Sequence, residues 1–465
     1  MAETLEEVTG SLVAELEARF PYAAALISNA SGVQIGDNGN EQEASEEAPS
    51  RGVVFTVYDG GAFVEYGTSD LALESLARNV RDWASGVRRQ PGGPPIIGGG
   101  HATIVGAATR DFATPMQIDP ASVPLTEKLA MLRDLQQRAQ ARDQRIVQAR
   151  TQYTDRTQET TYIGRGRSLR QRVTRVIVGL LIAVSDGGQV RYHFAQSSGT
   201  GGYELARMDD ATIAATAETA LRLLAAERIQ PGEYDIVTDA TISGVIAHEC
   251  FGHGVELDLF PKGRARAEQY VNKQVAAPAV QMYDDPSLTG AIGSYFFDDE
   301  GELARPTQIL RDGVLIRPIS DFASATFASG VHTANGRRQD FSRKVYARMS
   351  NTFFARDAAG PDAAAMIAGV ERGVYLRQAE SGMEDPMGWG IQVTAHYGEE
   401  IANGALTGRL FAPVGVSGYV PDLLQSVNSV GSDFELFAGN CGKGHKEFVT
   451  VSCGGPHLRM KARLG

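Results

Sequence analysis

The chain has 465 residues, a formal net charge of −12, 43% hydrophobic residues and 22% charged residues. That length is too great for one ordinary core, so two domains are expected, and the composition is that of a soluble globular protein. The acidic balance argues against nucleic acid as the partner, and the longest apolar run, residues 176–184, is far too short to span a membrane.

In chain order, residues 4–20 predict an amphipathic helix, with Leu5, Val8, Leu12, Leu16 and Phe20 near helical spacing. The acidic amino terminus lacks a signal-peptide core, so a cytoplasmic location is expected. Residues 38–47 are acidic and Gly/Asn-rich and read as an exposed loop. Two β-type runs, 53–58 and 62–66, flank Gly60 and Gly61 as a hairpin. A helix follows over 70–87, and the Pro- and Gly-rich stretch 90–100 ends it. Residues 125–150 predict one long charged helix, a solvent-exposed arm or dimer contact. The arginines of 165–175 lack aromatic interleaving and read as a solvated surface or interface.

A second hairpin is expected over 176–184 and 190–195, a helix over 210–227, and a strand over 234–238. After residue 255, glycine-punctuated β segments dominate, at 308–316, 373–376, 390–397 and 448–452, with a turn at Asn403 and Gly404. The resulting fold class is α+β with two domains. An α/β amino-terminal domain (1–215) precedes a β-rich carboxy-terminal domain (216–465) that carries a distorted metal-binding helix. The boundary falls within about 200–230.

The chemistry concentrates at His248, Glu249 and His253, after the apolar lead 242–247. Two neutral imidazoles can ligate zinc, and an adjacent carboxylate can take a proton from an activated water. Five residues separate the histidines. On an ideal α-helix that spacing leaves the rings about 140° apart, too far round the axis to chelate. A π-bulge absorbs the extra residue, and Gly252 tolerates the distortion, so a wide or broken turn is predicted at Cys250–His253. Candidates for a third ligand are Cys441, Cys453, His445, His457, His332, His396 and the carboxylates. Cys441 lies in a glycine-rich turn where nearby Lys443 would favour the thiolate. Cys453 alternates with apolar residues and reads equally as a buried strand position. Cys250 reads as packing, and three cysteines make no disulfide framework.

Nine short motifs then occur in a telling order: AHECFGHGVELD (247–258), DDP (284–286), GSYFFDDEG (293–301), DGVL (312–315), NGRR (335–338), RMSNT (348–352), IANG (401–404), VSG (416–418) and CGK (441–443). Together they resemble the TldD/PmbA family of metallopeptidases over residues 200–465. The PmbA/TldE-like branch lacks the metal histidines, whereas this chain keeps them and so resembles the metal-bearing TldD side. The resemblance implies a metal held by His248, His253 and a carboxy-terminal cysteine, with the CGK match pointing to Cys441. It implies two α+β domains and dimers around a central cavity, either homodimers or heterodimers with a PmbA/TldE-like paralogue. It also implies cleavage of unfolded peptides, including leader peptides in natural-product maturation.

The expected mechanism has zinc at His248, His253 and Cys441, and Glu249 as general base toward water and then acid toward the leaving amine. An extended peptide is expected to add as a strand to a sheet edge beside the metal. Residues 335–338 read as a structural turn or a substrate anchor. Residues 298–301 read as an acidic turn that needs no metal, with a second cation site as the other reading. Two rival functions are a tailoring enzyme acting on an amino-acid-derived metabolite and a non-catalytic subunit with a structural metal; an intact Glu249 argues against the latter.

Overall fold

A computed structural model describes residues 3–94, 109–328, 330–444 and 447–465. Helix α1 (Leu5–Glu17) starts at a reciprocal cap: Thr4 Oγ1 accepts from the Glu7 amide, and the Glu7 carboxylate accepts from the Thr4 amide. The first sheet contains β1 (Tyr22–Asp37), β2 (Gln42–Tyr58), β3 (Phe63–Thr68), β4 (Thr109–Ala113), β5 (Ile146–Gly164), β6 (Arg167–Ser185) and β7 (Val190–Thr200). Its order is β3-β2-β1-β5-β6-β4, with β7 also on β6, and every pair is antiparallel except β4 with β6.

Strand β1 is buried on both faces, and its period of two sends alternate residues into different cores. Ala23, Ala25 and Ile27 pack under α1 and α2 (Leu73–Gly86). Tyr22, Ala24 and Leu26 face Phe297 and Phe322 of the carboxy-terminal half. Farther along the sheet, α3 (Leu125–Gln140) and α4 (Asp210–Arg222) cover β5 and β6 through Leu132, Leu135, Ile213 and Ala217.

Several sequence expectations change here. Only residues 38–41 turn; from Gln42 onward the acidic stretch is strand β2, paired in register with β1. Helix α3 stops at Gln140, and residues 146–150 already belong to β5. Nor is α3 a solvent arm, because Leu132, Leu135 and Ala139 are buried and buried Lys128 meets Asp155 at 2.6 Å. The arginine run is partly interior: Arg175 donates to the carbonyls of Ile292 and Ser294, and burial pushes its pKa down to about 9. The amino-terminal sheet is mainly antiparallel, so helices packed on a meander, not parallel βαβ units, describe this half. Of the Pro/Gly stretch at 90–100, residues 95–100 lie outside the described residues.

The carboxy-terminal half opens with β8 (Gly232–Thr238) and α5 (Ala240–Ile246). Strand β9 (Met282–Asp284) is followed by β10 (Thr307–Arg311), β11 (Val314–Leu315) and α6 (Phe322–Phe327). The ribbon β12 (Gly336–Arg337) with β13 (Tyr346–Ala347) precedes β14 (Asn351–Phe354) and α7 (Ala363–Ala368). Next come β15 (Arg372–Asp385), β16 (Gly390–Ala402), β17 (Ala405–Phe411), β18 (Val414–Tyr419), α8 (Val420–Gln425) and β19 (Ser429–Val430). The chain closes with β20 (Glu435–Lys443), β21 (Glu447–Gly455) and β22 (Leu458–Leu464).

Two sheets organise this half. In one, the path β15-β8-β22-β18-β16 closes on itself because β15 also pairs β16, and β17 and β19 attach outside the ring. The turn at Asn403 and Gly404, both at positive φ, joins β16 to β17 as the sequence predicts. The other sheet runs β11-β10-β9-β14-β21-β20, so β20 is an edge strand. One apolar core, including Ile242, Ile246, Leu376, Val393 and Met460, binds α5 to the closed sheet.

Replacing Lys128 by Ala leaves the Asp155 carboxylate buried without its partner, and removal of one member of a buried pair costs about 3–5 kcal/mol. The expected outcome is a lower urea midpoint with an unchanged m-value; an unchanged midpoint would mean that α3 does not pack on β5 as described.

Candidate metal centre

Asp239 caps α5 by accepting from the amides of Thr241 and Ile242, and its other oxygen accepts from the Gln378 amide of β15. The cap thus ties the start of the helix to the strand beside it. The helix then widens: residues 247–252 form a π-turn, followed by a 3-10 turn at His253–Val255. The His253 amide donates to the His248 carbonyl, a bond spanning five residues. This is the wide turn the histidine spacing predicts, and it leaves the two ring centroids 5.1 Å apart. Gly252 has a more specific role than flexibility, since a Cβ there would lie 1.9 Å from Met349 Sδ.

Cys441, on edge strand β20, brings Sγ to 3.5 Å from His253 Nε2. One donor atom each from His248, His253 and Cys441 falls within 4.8 Å of the others. Cys453 does not join this group; it lies on neighbouring β21, buried, with its thiol pushed up by burial. Cys250 is fully buried in the apolar core, as packing requires. The other candidate histidines have other partners: His332 with Asp298 and Glu300, His396 with Glu380, His457 with Asp433. His445 lies outside the described residues.

Behind the donors stands a charged layer of Glu256, Asp258, Lys443 and Arg348. Glu256, 1% exposed, places Oε2 3.3 Å from His253 Nδ1, so a carboxylate orients the ring whose Nε2 faces Cys441. Lys443 pairs with Glu256 at 3.0 Å and with Asp258 at 2.6 Å. It therefore clamps β20 to the segment after the π-turn and does not serve the Cys441 thiolate directly. Fully buried Arg348 donates to the Cys441 carbonyl at 2.6 Å. Glu256 stands three residues after His253, within the quoted motif, and that spacing was the available signal.

The electrostatics of the donors follow from these contacts. Burial alone raises the Cys441 thiol, but the imidazoles of His253 and His248 outweigh it and hold the thiol well below its usual range. Burial likewise lowers His253, but Cys441 and Glu256 outweigh it and hold the imidazole well above its usual range. These donors fit a divalent cation on several grounds. Two imidazoles and a thiolate suit zinc. The 3.5 Å separation of nitrogen and sulfur matches that of tetrahedral ligands on one zinc, also about 3.5 Å. His248 Nδ1 is buried with no hydrogen-bond partner among the described residues.

Glu249 is half-buried and faces a cleft of about 1180 Å³ lined by β1, β6 and β7 from one half and β15 and β20 from the other. Gly382 lies against it, since a Cβ there would fall 2.5 Å from Glu249 Cγ. Residues 335–338 are structural: Asn335 binds Asp284, Arg337 holds the carbonyls of Met349 and Thr450, and Arg338 pairs with Glu65. Asp298, Glu300 and His332 form a second donor group within 4.8 Å. Asp298 accepts from the amides of Glu300, Glu302 and Gly336, and Glu300 accepts from that of Phe322. Burial lowers His332, yet Asp298 and Glu300 outweigh it and hold the ring well above its usual range. The imidazole thus sits against two carboxylates in a fully buried group.

Residues 231–463 match the sequence profile of the PmbA/TldA metallopeptidase C-terminal domain, and residues 118–226 that of the corresponding central domain. A metalloprotease of Methanothermobacter thermautotrophicus is 30% identical over 458 residues, 97% of each chain. A zinc metalloprotease TldD homolog of Saccharolobus solfataricus is 26% identical over 231 residues, covering 50% of this chain and 51% of that one. The crystal structure of TldE from Thermococcus kodakarensis superposes with a TM-score of 0.72 at 15% identity, covering 98% of this chain and all of that one, a likeness of fold.

Replacing Glu256 by Gln removes the carboxylate that orients His253, and loss of such a partner lowers metal affinity by about 10- to 100-fold. Competition with a chromogenic zinc chelator reads the change directly. Affinity equal to that of the wild type would show that the Glu256 contact does not serve the donors.

Proposed function

The chain belongs to the PmbA/TldD metallopeptidase family, and on that premise we propose that it hydrolyses unfolded or extended peptides with Glu249 as the general base. It is a metalloprotease. The reading assigns His248, His253 and Cys441 as the ligands of one divalent metal, zinc by the donor set, a choice supported by the zinc metalloprotease among its relatives. The observation that carries it is the convergence of these three donors beside Glu249, at the wall of a cleft wide enough for a peptide.

When bound, the metal supplies Lewis acidity that acidifies a water and polarises the scissile carbonyl. Glu249, with its carboxylate open to the cleft, accepts the proton of the attacking water and returns it to the leaving amine. Glu256 holds the His253 ring in place throughout. Cys441 donates more charge than a third imidazole would, which favours modest turnover. Edge strand β20 offers one unpaired side toward the cleft, where residues 435–440 lie. A substrate in extended form adds to that edge through backbone hydrogen bonds, which read little of its sequence. The reading includes a dimer, of this chain with itself or with a PmbA/TldE-like paralogue.

Glu249→Gln is expected to keep the metal content of the wild type while losing about 10²–10⁴ of kcat on an unfolded peptide. Metal is counted by mass spectrometry and cleavage by chromatography. A Glu249→Gln protein that cleaves at the wild-type rate would remove Glu249 from the chemistry.

A further inference from the structure

The cleft beside Glu249 is unusual for its charge. Its wall includes Asp37, Glu41, Glu43, Glu249, Glu380 and Glu435, and among the described residues only Arg150 answers them with positive charge. The whole chain carries 56 acidic to 44 basic residues, so six to one in the cleft is a local concentration and does not simply follow composition. The carboxylates come from separate elements: Asp37 ends β1, Glu41 and Glu43 flank the turn into β2, Glu380 lies on β15 and Glu435 begins β20. The fold thus brings them together from both halves of the chain.

Their states differ in a useful way. Asp37 is buried and fixed by the Gly39 amide and the Gln42 side chain. Glu380 accepts from His396 and from the Tyr192 hydroxyl, and those bonds lower its pKa below the usual carboxylate range. Glu41, Glu43 and Glu435 are exposed in the cleft, and no ion pair to them is seen among the described residues. Carboxylates around a concave, partly desolvated space focus a negative potential into it. A strand lying along β20 would have its side chains within that potential even though its backbone is read without regard to sequence.

Resting on the metallopeptidase reading, we infer that this cleft selects cationic peptides, those rich in Lys and Arg, over acidic ones, through Glu41, Glu43 and Glu435 with Asp37 and Glu380 behind them. Backbone pairing to β20 supplies affinity common to any extended chain, and the carboxylates set the order among chains of different charge.

The test uses two dye-labelled unfolded peptides of equal length, one Lys-rich and one Glu-rich around the same central residues. Each is titrated by fluorescence anisotropy against the full-length, metal-loaded Glu249→Gln protein, which isolates binding from cleavage. At low ionic strength the Lys-rich peptide is expected to bind at least about tenfold more tightly, in the range that charged clefts produce. The gap should close near 1 M salt, where the screening length falls to about 3 Å. Adding E41K, E43K and E435K should reverse the order of the two peptides, with metal content and circular dichroism unchanged. The milder set E41Q, E43Q and E435Q should narrow the gap if the lysine set does not fold. Equal affinities at low salt, or a preference that these substitutions leave intact, would overturn the inference. Charge-selective binding without cleavage by the wild type would count against the peptidase reading and leave this one standing.

Discussion

The hydrogen bond from the His253 amide to the His248 carbonyl is the constraint on which the centre depends. In a regular helix each amide reaches back four residues, and that register would turn the two imidazoles to different sides. Reaching back five widens the turn and brings the ring centroids to 5.1 Å. The cost of leaving the α-helical register falls on a short segment that the core has already fixed. Asp239 caps the helix start, Ile242 and Ile246 anchor it in the apolar core, and Met349 fills the space over Gly252.

The third donor arrives from 188 residues later in the chain, so its position has to be set by the fold. Strand β20 is an edge strand, held on one side by β21, and an edge held on one side alone would place Cys441 loosely. Two buried cations correct this. Arg348 takes the Cys441 carbonyl, and Lys443 takes Glu256 and Asp258, so the strand is fastened to the same segment that carries the histidines. Glu256 is shared by His253 and Lys443, which makes the orientation of one donor and the position of another parts of a single network. The other edge of β20 pairs with no strand among the described residues.

Much of the centre was legible in the sequence because its constraint is local. If two histidines five residues apart are to share one metal ion, the helix between them must widen, and the structure has a π-turn there. The choice between Cys441 and Cys453 was not local: both lie on strands of one hairpin, and only the placement of β20 against the π-turn separates them. The role of Lys443 is non-local for the same reason: it stands two residues from Cys441 in sequence, yet its ammonium meets two carboxylates in space. Glu256 was within view, but a carboxylate three residues from a histidine has many ordinary uses. In the fold, helix α3 was extended through residues 141–150 because charged residues with sparse apolar positions fit a helix or a strand equally well until their partner is known. The acidic stretch at 42–47 was taken for a loop because composition cannot show that β1 runs beside it in register.

On the proposed reading, the same turn also sets the base next to the ligands. His248 is 6% exposed and Glu249, one residue on, is half-buried, and both line the cleft. Burial is useful to the ligands, because it removes competing water and strengthens every charge interaction around a cation. It would be harmful to a base, because a desolvated carboxylate holds its proton and cannot exchange it with water. Consecutive residues on a helical surface point about 100° apart, so one step along the turn sets a carboxylate beside an imidazole without placing it among the donors. Gly382, directly against Glu249, leaves room for it, since any side chain there would occupy the space of Glu249 Cγ. On the proposed reading, the adjacency of histidine and glutamate in the motif sets the base beside the ligands at one wall of the cleft.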